Sequence, residues 1–269
     1  MATSYTNSEN TGVQGKVNAE TTCFGMSYSI VRTLPTGRET QVCLVEDRGE
    51  LKVWKRPQSV CGARQIERER NHMMRLVGSP GVIQLKDSFL EQHRTLVYDY
   101  YKNGDLLDYL LTAKEPDIKG IMRSLLETIS RLHDLGIAHR DIKPENILLT
   151  DEGLPVLADF GMATTELSSK SRMGTLWYHA PEITSRLEYS PMKADVWSFG
   201  VTVLVAHYSM TPFPRGAMVP IDFPAMWQWL DGHADKVVDT ETKEFLEYVL
   251  QPEEFRPTAR HLLTHPWLN

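Results

Sequence analysis

The stretch His139-Arg140-Asp141-Ile142-Lys143-Pro144-Glu145-Asn146 places an acid, a lysine and an amide within eight residues, and a short apolar run, Ile147-Leu148-Leu149, follows it. Thirteen residues after Asn146 comes another acid, in Asp159-Phe160-Gly161, and Gly174-Thr175 and Ala180-Pro181-Glu182 lie further on. Side chains of these types can orient or take a proton, place positive charge beside a developing anion and offer oxygen ligands to a hard cation. Lys143 stands two residues from Asp141, so in an extended loop the two share a face. Alone, an Asp-Phe-Gly tripeptide is a loop ending in a turn. Set in this order after His-Arg-Asp and before Ala-Pro-Glu, it belongs to a constellation.

Two kinds of element must position these residues. From Tyr28 to about Tyr101 the chain is mostly strand-like, with short β-branched or aromatic runs such as Gln41–Val45 and Thr95–Tyr98 bounded by turn residues. One helix is predicted within that part, Ala63 to Val77, with Ile66, Met73, Leu76 and Val77 available for burial. After Gly104 the pattern turns helical. Ile118, Ile121, Met122, Leu125, Ile129 and Leu132 repeat at helical spacing, and Gly136 supplies a stop. The expected architecture is therefore α+β and bilobal: a small β-rich N-lobe with one helix over 27–100, and a larger helical C-lobe over 104–269. The cleft lies between them, with the connection near Tyr100 to Asn103. Residues 1–26, rich in Ser, Thr, Asn and Gly, are expected to form a disordered tail.

The composition sets bounds on partners. Of 269 residues, 41% are hydrophobic and 24% charged, as in an ordinary globular chain. A net charge of −6 weighs against a general nucleic-acid surface, because it supplies no broad phosphate-neutralising face. Three widely spaced cysteines, Cys23, Cys43 and Cys61, suggest neither a disulfide framework nor a zinc site. The run Val196 to Ala206 is too short and too interrupted to span a membrane. The expectation is an intracellular protein, cytoplasmic or nuclear.

The ordered motifs resemble those of the eukaryotic-type serine/threonine protein kinase family, from about Tyr28 to Asn269. The short helix-rich end is similar to the calcium/calmodulin-dependent group. The resemblance implies a catalytic domain that uses ATP and Mg²⁺ to phosphorylate serine or threonine in protein substrates. It makes Asp141 the residue that orients the substrate hydroxyl and Lys143 and Thr175 its catalytic companions. Asn146 and Asp159 become the metal ligands, and Asp195 the holder of the catalytic loop backbone. Tyr98-Asp99-Tyr100-Tyr101 resembles the connection that binds adenine through its backbone, with Asp99 and Tyr101 as its contacts and Tyr98 narrowing the back of the pocket.

The same resemblance requires a nucleotide lysine on a strand and a partner glutamate on a helix. Glu50-Leu51-Lys52-Val53-Trp54-Lys55 offers two lysines. Alternation favours Lys55, which shares a face with Val53 and Leu51, whereas Lys52 would bring Glu50 toward a triphosphate; Lys52 stays as the alternative. Counting back from Gly78-Ser79-Pro80-Gly81 selects Glu69 as the partner over Glu67. The glycine-rich loop departs from the family pattern. With Val42 aligned to the valine that ends the motif, the three glycine positions hold Pro35, Gly37 and Thr40. Proline removes an N–H that would approach phosphate. A scaffold with weak or no turnover is thus the alternative function, while Gly174-Thr175 and Ala-Pro-Glu argue against a small-molecule phosphotransferase. Ser171, three residues before Gly174, resembles the usual site of activating phosphorylation by an upstream kinase or by the protein itself, paired to Arg140. Asp105 and Glu145 resemble positions that hold a substrate arginine.

Overall fold

The computed structural model describes residues 20–23, 26–34, 37–89, 94–113, 116–185, 188–209, 221–233 and 238–269. Strands β1 (Glu20–Cys23), β2 (Met26–Leu34), β3 (Thr40–Asp47) and β4 (Glu50–Pro57) form an antiparallel meander. Helix α1 (Val60–Arg75) follows, then β5 (Leu85–Phe89) and β6 (Thr95–Asp99), which complete a six-stranded sheet of order β1-β2-β3-β4-β6-β5. The presence of β1 corrects the expected tail: Glu20–Cys23 pair with Ser29–Met26. Residues 1–19 lie outside the described residues. A polar, threonine-bearing strand gains its order from pairing, which an apolar pattern does not reveal.

Helix α1 begins at Ser59, whose hydroxyl accepts from the Gly62 N–H at 2.9 Å. Its buried residues include Ile66, Glu69 and Met73, and Leu76 at the C-cap continues the stripe. Each fully buried apolar side chain there contributes about 1.5–3 kcal/mol. The helix ends at Arg75, so Val77, expected in the core, falls past the end and is exposed. Glu69 is the anomaly on this stripe.

The C-lobe starts with α2 (Leu106–Thr112) and α3 (Ile118–Asp134), whose predicted stripe is buried from Ile121 to Leu132. A two-stranded ribbon of β7 (Ile147–Leu149) and β8 (Pro155–Leu157) lies against α3, bringing the chemical residues of the first motif to the cleft. Among the described residues, helices α4 (Pro181–Ser185), α5 (Pro191–Tyr208), α6 (Phe223–His233), α7 (Thr240–Val249) and α8 (Ala259–Leu262) follow in the lobe. Helix α5 is buried on nearly every side, as a helix apolar all round must be. Ser190 caps it and Pro191 opens it without losing a needed N–H.

One continuous core runs through both lobes, from Ile66, Met73 and Leu96 through Leu125 and Phe160 to Trp197 and Phe245. The lobes are also joined by backbone: Ile83 N–H donates to the Leu157 carbonyl (3.0 Å), and Leu157 N–H to Gly81 (2.8 Å). The cleft-side residues therefore rest on a shared foundation.

Candidate active site

Strand β4 carries both candidate lysines, and their spacing of three places them on opposite faces. Lys55 faces the cleft, is buried, and donates to Glu69 Oε2 and Asp159 Oδ1, each at 2.7 Å. Lys52 instead contacts Asp99 and Glu50, each at 3.1 Å, on the outer side. Among the two, Lys55 is the one brought to the site. Burial alone would push its ammonium down, but the Asp159 and Glu69 carboxylates hold it above its ordinary value. Burial raises Glu69, with Lys55 opposing. For Asp159 the balance reverses: the Lys55 ammonium outweighs desolvation and keeps the carboxyl below its usual range.

Glu69 has a second donor. The hydroxyl of Tyr98, on β6, lies 2.7 Å from Oε1. Glu67, one of the two glutamates weighed on this helix, is exposed. Two further side chains of α1 reach the segment after β8: Arg68 Nη1 donates to the Gly161 carbonyl (3.1 Å), and His72 Nε2 meets the Ala163 carbonyl (3.1 Å). Phe160 is fully buried beneath this contact and packs edge-on against His139, with ring centroids 4.7 Å apart.

Asp141 sits on the other side of the cleft floor. Its Oδ1 accepts from the Thr175 N–H (2.9 Å) and hydroxyl (2.7 Å), and its Oδ2 from Asn146 Nδ2 (2.9 Å). Lys143 Nζ lies 3.1 Å from Asp141 Oδ2 and donates to Thr175 Oγ1 at 2.7 Å. Asp141, Lys143, Asn146 and Thr175 are thus brought together in one hydrogen-bonded group. Gly174, before Thr175, has φ of 106°, and a Cβ there would stand 2.4 Å from the Arg140 carbonyl. Only glycine fits that turn.

The loop carrying Asp141 is held from below. Asp195 of α5, 1% exposed, accepts from the backbone N–H groups of His139 and Arg140, each at 2.7 Å, and faces His133 Nε2 at 3.1 Å. Those bonds sustain Arg140 at φ 67°, an uncommon conformation for a non-glycine residue. The Arg140 side chain donates to the Met162 carbonyl (2.6 Å) and to Ser171 Oγ (2.8 Å). Asp159, at φ 64°, is the other strained residue of the site.

A hard divalent cation fits the donor set. Asn146 spends its Nδ2 on the Asp141 carbonyl and carboxylate, so its amide oxygen is the atom it could offer a cation. Asp159 commits Oδ1 to Lys55, yet its side chain remains 44% exposed to the cleft. Two oxygen donors suit Mg²⁺, which usually takes its remaining ligands from water and substrate phosphates. Among the described residues, no three His, Cys, Asp or Glu side chains gather to hold a metal unaided.

Val42 pairs in register with Lys55, directly above the site. Gly37 is exposed, while Pro35 lies outside the described residues. Thr40 begins β3 and is buried. Glu39, between them, is tied to α1: its carbonyl accepts from Gln58 N–H (2.8 Å) and its carboxylate from the Ser59 hydroxyl. Asp99 ends β6 with its carboxylate on Lys86 (2.7 Å) and Lys52 (3.1 Å), so its side chain is occupied on the outer face and only its backbone remains for the cleft. Tyr101 packs against the core, and its carbonyl accepts from Gly104 N–H at 3.2 Å.

Sequence reasoning did not reveal the Tyr98–Glu69 bond, the Glu39 tether or the Arg68 and His72 contacts. The available signal for the first was Glu69 itself, a carboxylate at a core position of the α1 stripe. Arg256 and Glu182 form a buried bidentate contact at 2.5 and 3.0 Å beneath the Ala-Pro-Glu turn.

The protein kinase domain family matches residues 29–268, and the chain belongs to that family. It is 34% identical over 249 residues to the phosphorylase b kinase gamma catalytic chain, liver/testis isoform, of Bos taurus, covering 86% of this chain and 60% of that one. It is 30% identical over 216 residues to calcium-dependent protein kinase 34 of Arabidopsis thaliana, covering 76% of this chain and 41% of the relative. Serine/threonine-protein kinase cds1 of Schizosaccharomyces pombe is 28% identical over 267 residues, with 89% and 58% covered. The matches thus span between 41% and 60% of these relatives' lengths. These relatives are named as kinases, and the match to the protein kinase domain family covers most of the chain.

Proposed function

We propose that this chain transfers the γ-phosphoryl group of ATP to serine or threonine hydroxyls of proteins inside the cell. The observation that carries the reading is the pairing of two complete groups across one cleft: Lys55 with Glu69 and Asp159, and Asp141 with Lys143, Asn146 and Thr175. The substrate oxygen attacks the γ-phosphorus as the bond to the β–γ bridging oxygen breaks, and ADP leaves. Asp141 orients the attacking hydroxyl and takes its proton. Lys143, fixed through Thr175, places positive charge beside the transferred group. Lys55 holds the phosphates in line, its position set by Glu69. Asn146 and Asp159 would hold Mg²⁺, which neutralises phosphate charge when bound.

Ser171 is the proposed site of activating phosphorylation, because its hydroxyl already meets Arg140 at 2.8 Å. A phosphate there would gain a charge-assisted bond to the guanidinium and tighten the segment that carries Thr175. Asp105 and Glu145 are the proposed acids for basic residues ahead of the acceptor; Asp105 also caps α2, accepting from Asp108 N–H at 2.9 Å.

A scaffold that binds without turnover is the second reading, favoured by proline and threonine at two of the three loop positions. The deciding experiment is phosphate transfer from ATP/Mg²⁺ to a degenerate peptide library, with Asp141→Ala alongside and phosphosites of the protein mapped. The catalytic reading expects transfer to serine and threonine peptides, abolished in Asp141→Ala, with phosphate at Ser171. Equal labelling by wild type and Asp141→Ala would refute it.

A further inference from the structure

Glu69 lies on the buried stripe of α1 and is 1% exposed. A carboxylate enclosed this far needs a partner for each oxygen, because an ionised group left bare in the interior is heavily penalised. Lys55 serves Oε2, but the same ammonium also serves Asp159, whose own charge repels Glu69. Oε1 depends on the Tyr98 hydroxyl, 2.7 Å away.

We propose that Tyr98 is a positioning residue for phosphoryl transfer: its hydroxyl holds Glu69 ionised and turned toward Lys55, and so fixes Lys55 over the phosphate site. The inference rests on the ATP-dependent reading above. Tyr98 suits the task because its backbone is immobilised on both sides, paired with Val53 of β4 and Leu85 of β5. Its ring is 3% exposed in the same core cluster as Ile66 and Leu96. Burial, reinforced by the Glu69 carboxylate, pushes the phenol well above its ordinary value, so it stays a donor throughout the working range. The bond also links the sheet to α1. Any rotation of the helix that withdraws Glu69 from Lys55 must break it. An apolar side chain at position 98 would fill the space and leave Oε1 without a donor.

The charged and titratable groups facing Glu69 are Lys55 from β4, Tyr98 from β6 and Asp159 from the segment after β8, with His139 beyond Asp159. Arg68 and His72 flank it on α1 itself, directed to the Gly161 and Ala163 carbonyls. Of these, Tyr98 alone can be changed by removing one oxygen atom.

The test is Tyr98→Phe, followed by kcat and KM for ATP from about pH 5 to 8, spanning the carboxylate-to-histidine range. Calorimetric binding of a non-hydrolysable ATP analogue is measured over the same range. Loss of a hydrogen bond to a charged group predicts a roughly tenfold fall in kcat/KM for ATP. The acid limb should move to higher pH, because Glu69 loses a donor that favours its ionised form. In a Glu69→Gln background the same change should cost less than about twofold, as expected for coupled partners. Incorporation of 3-fluorotyrosine at position 98, a stronger donor of nearly equal size, should move the limb to lower pH and covers the case of a Phe variant that does not fold. An unmoved acid limb, or an equal loss in the Glu69→Gln background, overturns the proposal. Should the wild type bind the analogue without turnover, the phosphotransfer reading fails. The acid limb of analogue affinity then decides Tyr98, with a shift supporting the inference and none overturning it.

Discussion

Thr175 completes the hydrogen bonding around Asp141, since its hydroxyl accepts a hydrogen bond from Lys143 and donates one to Asp141. Without that hydroxyl, Lys143 and Asp141 would be linked only by their direct contact at 3.1 Å, and the ammonium would swing. Both groups belong to the C-lobe, whereas Lys55 stands on β4 of the N-lobe. Thr175→Ala is therefore expected to lower kcat by about tenfold to a hundredfold, in the range of misplaced acid–base groups. KM for ATP should stay within about twofold. Thr175→Ser keeps the hydroxyl and should recover most of the rate. Steady-state kinetics check this; a raised KM for ATP with unchanged kcat would instead assign Thr175 to binding. Asp195 works on the same residues from the opposite side, holding Arg140 in a conformation it would not adopt unaided. The site thus combines a locked loop below with a positioned hydroxyl above.

Helix α1 connects the two halves of the site, and its N-terminal turn bears on the loop over the nucleotide. Gly62 packs against the strand connection, where a Cβ would stand 1.8 Å from the Glu39 carbonyl oxygen and 2.8 Å from its carbon. In an exposed helix, glycine to alanine gains about 1 kcal/mol from helix propensity. Here the obstacle is backbone, held by Gln58 N–H and the Ser59–Glu39 contact, so the clash outweighs the gain. Gly62→Ala should lower the melting temperature by several degrees for a loss of about 1–3 kcal/mol and raise KM for ATP. A calorimetric melt showing stabilisation would reverse this argument. Much of α1 was legible in the sequence because Ile66, Met73 and Leu76 repeat at helical spacing, and Lys55 because strand alternation separates it from Lys52. Asp141, Lys143 and Asn146 were legible because their chemistry is local in sequence. Gly62 against Glu39 and Tyr98 against Glu69 were not, since each meeting depends on tertiary packing between elements far apart in the chain. Val77 failed for a smaller reason: the helix ended two residues early, and an apolar residue past a C-terminus has no stripe to join.

At the scale of the whole molecule, the two lobes share a core and are linked across the cleft by Lys55–Asp159, Arg68–Gly161 and His72–Ala163. The last link is expected to respond to pH. Neutral His72 donates from Nε2 to the Ala163 carbonyl, while Nδ1 is buried without a hydrogen-bond partner. Protonating Nδ1 would create a buried donor with nothing to receive it. Burial, aided by Arg75, Arg68 and Arg140 against the opposing Ala163 bond, lowers the His72 pKa from its ordinary 6.5. Burial also lowers His179 and His265. The folded protein therefore binds fewer protons than the unfolded chain in the window below 6.5. Stability contributed by these histidines is present above that value and is lost as pH falls through their folded pKa values. Thermal melts between about pH 8 and 5 should show the midpoint falling most steeply below the ordinary histidine pKa, and His72→Gln should flatten the slope. A glutamine amide can still donate to the Ala163 carbonyl, so the variant separates titration from loss of the bond. A midpoint that rises on acidification, or a His72→Gln profile parallel to wild type, would show that the link between the lobes does not depend on the protonation of His72.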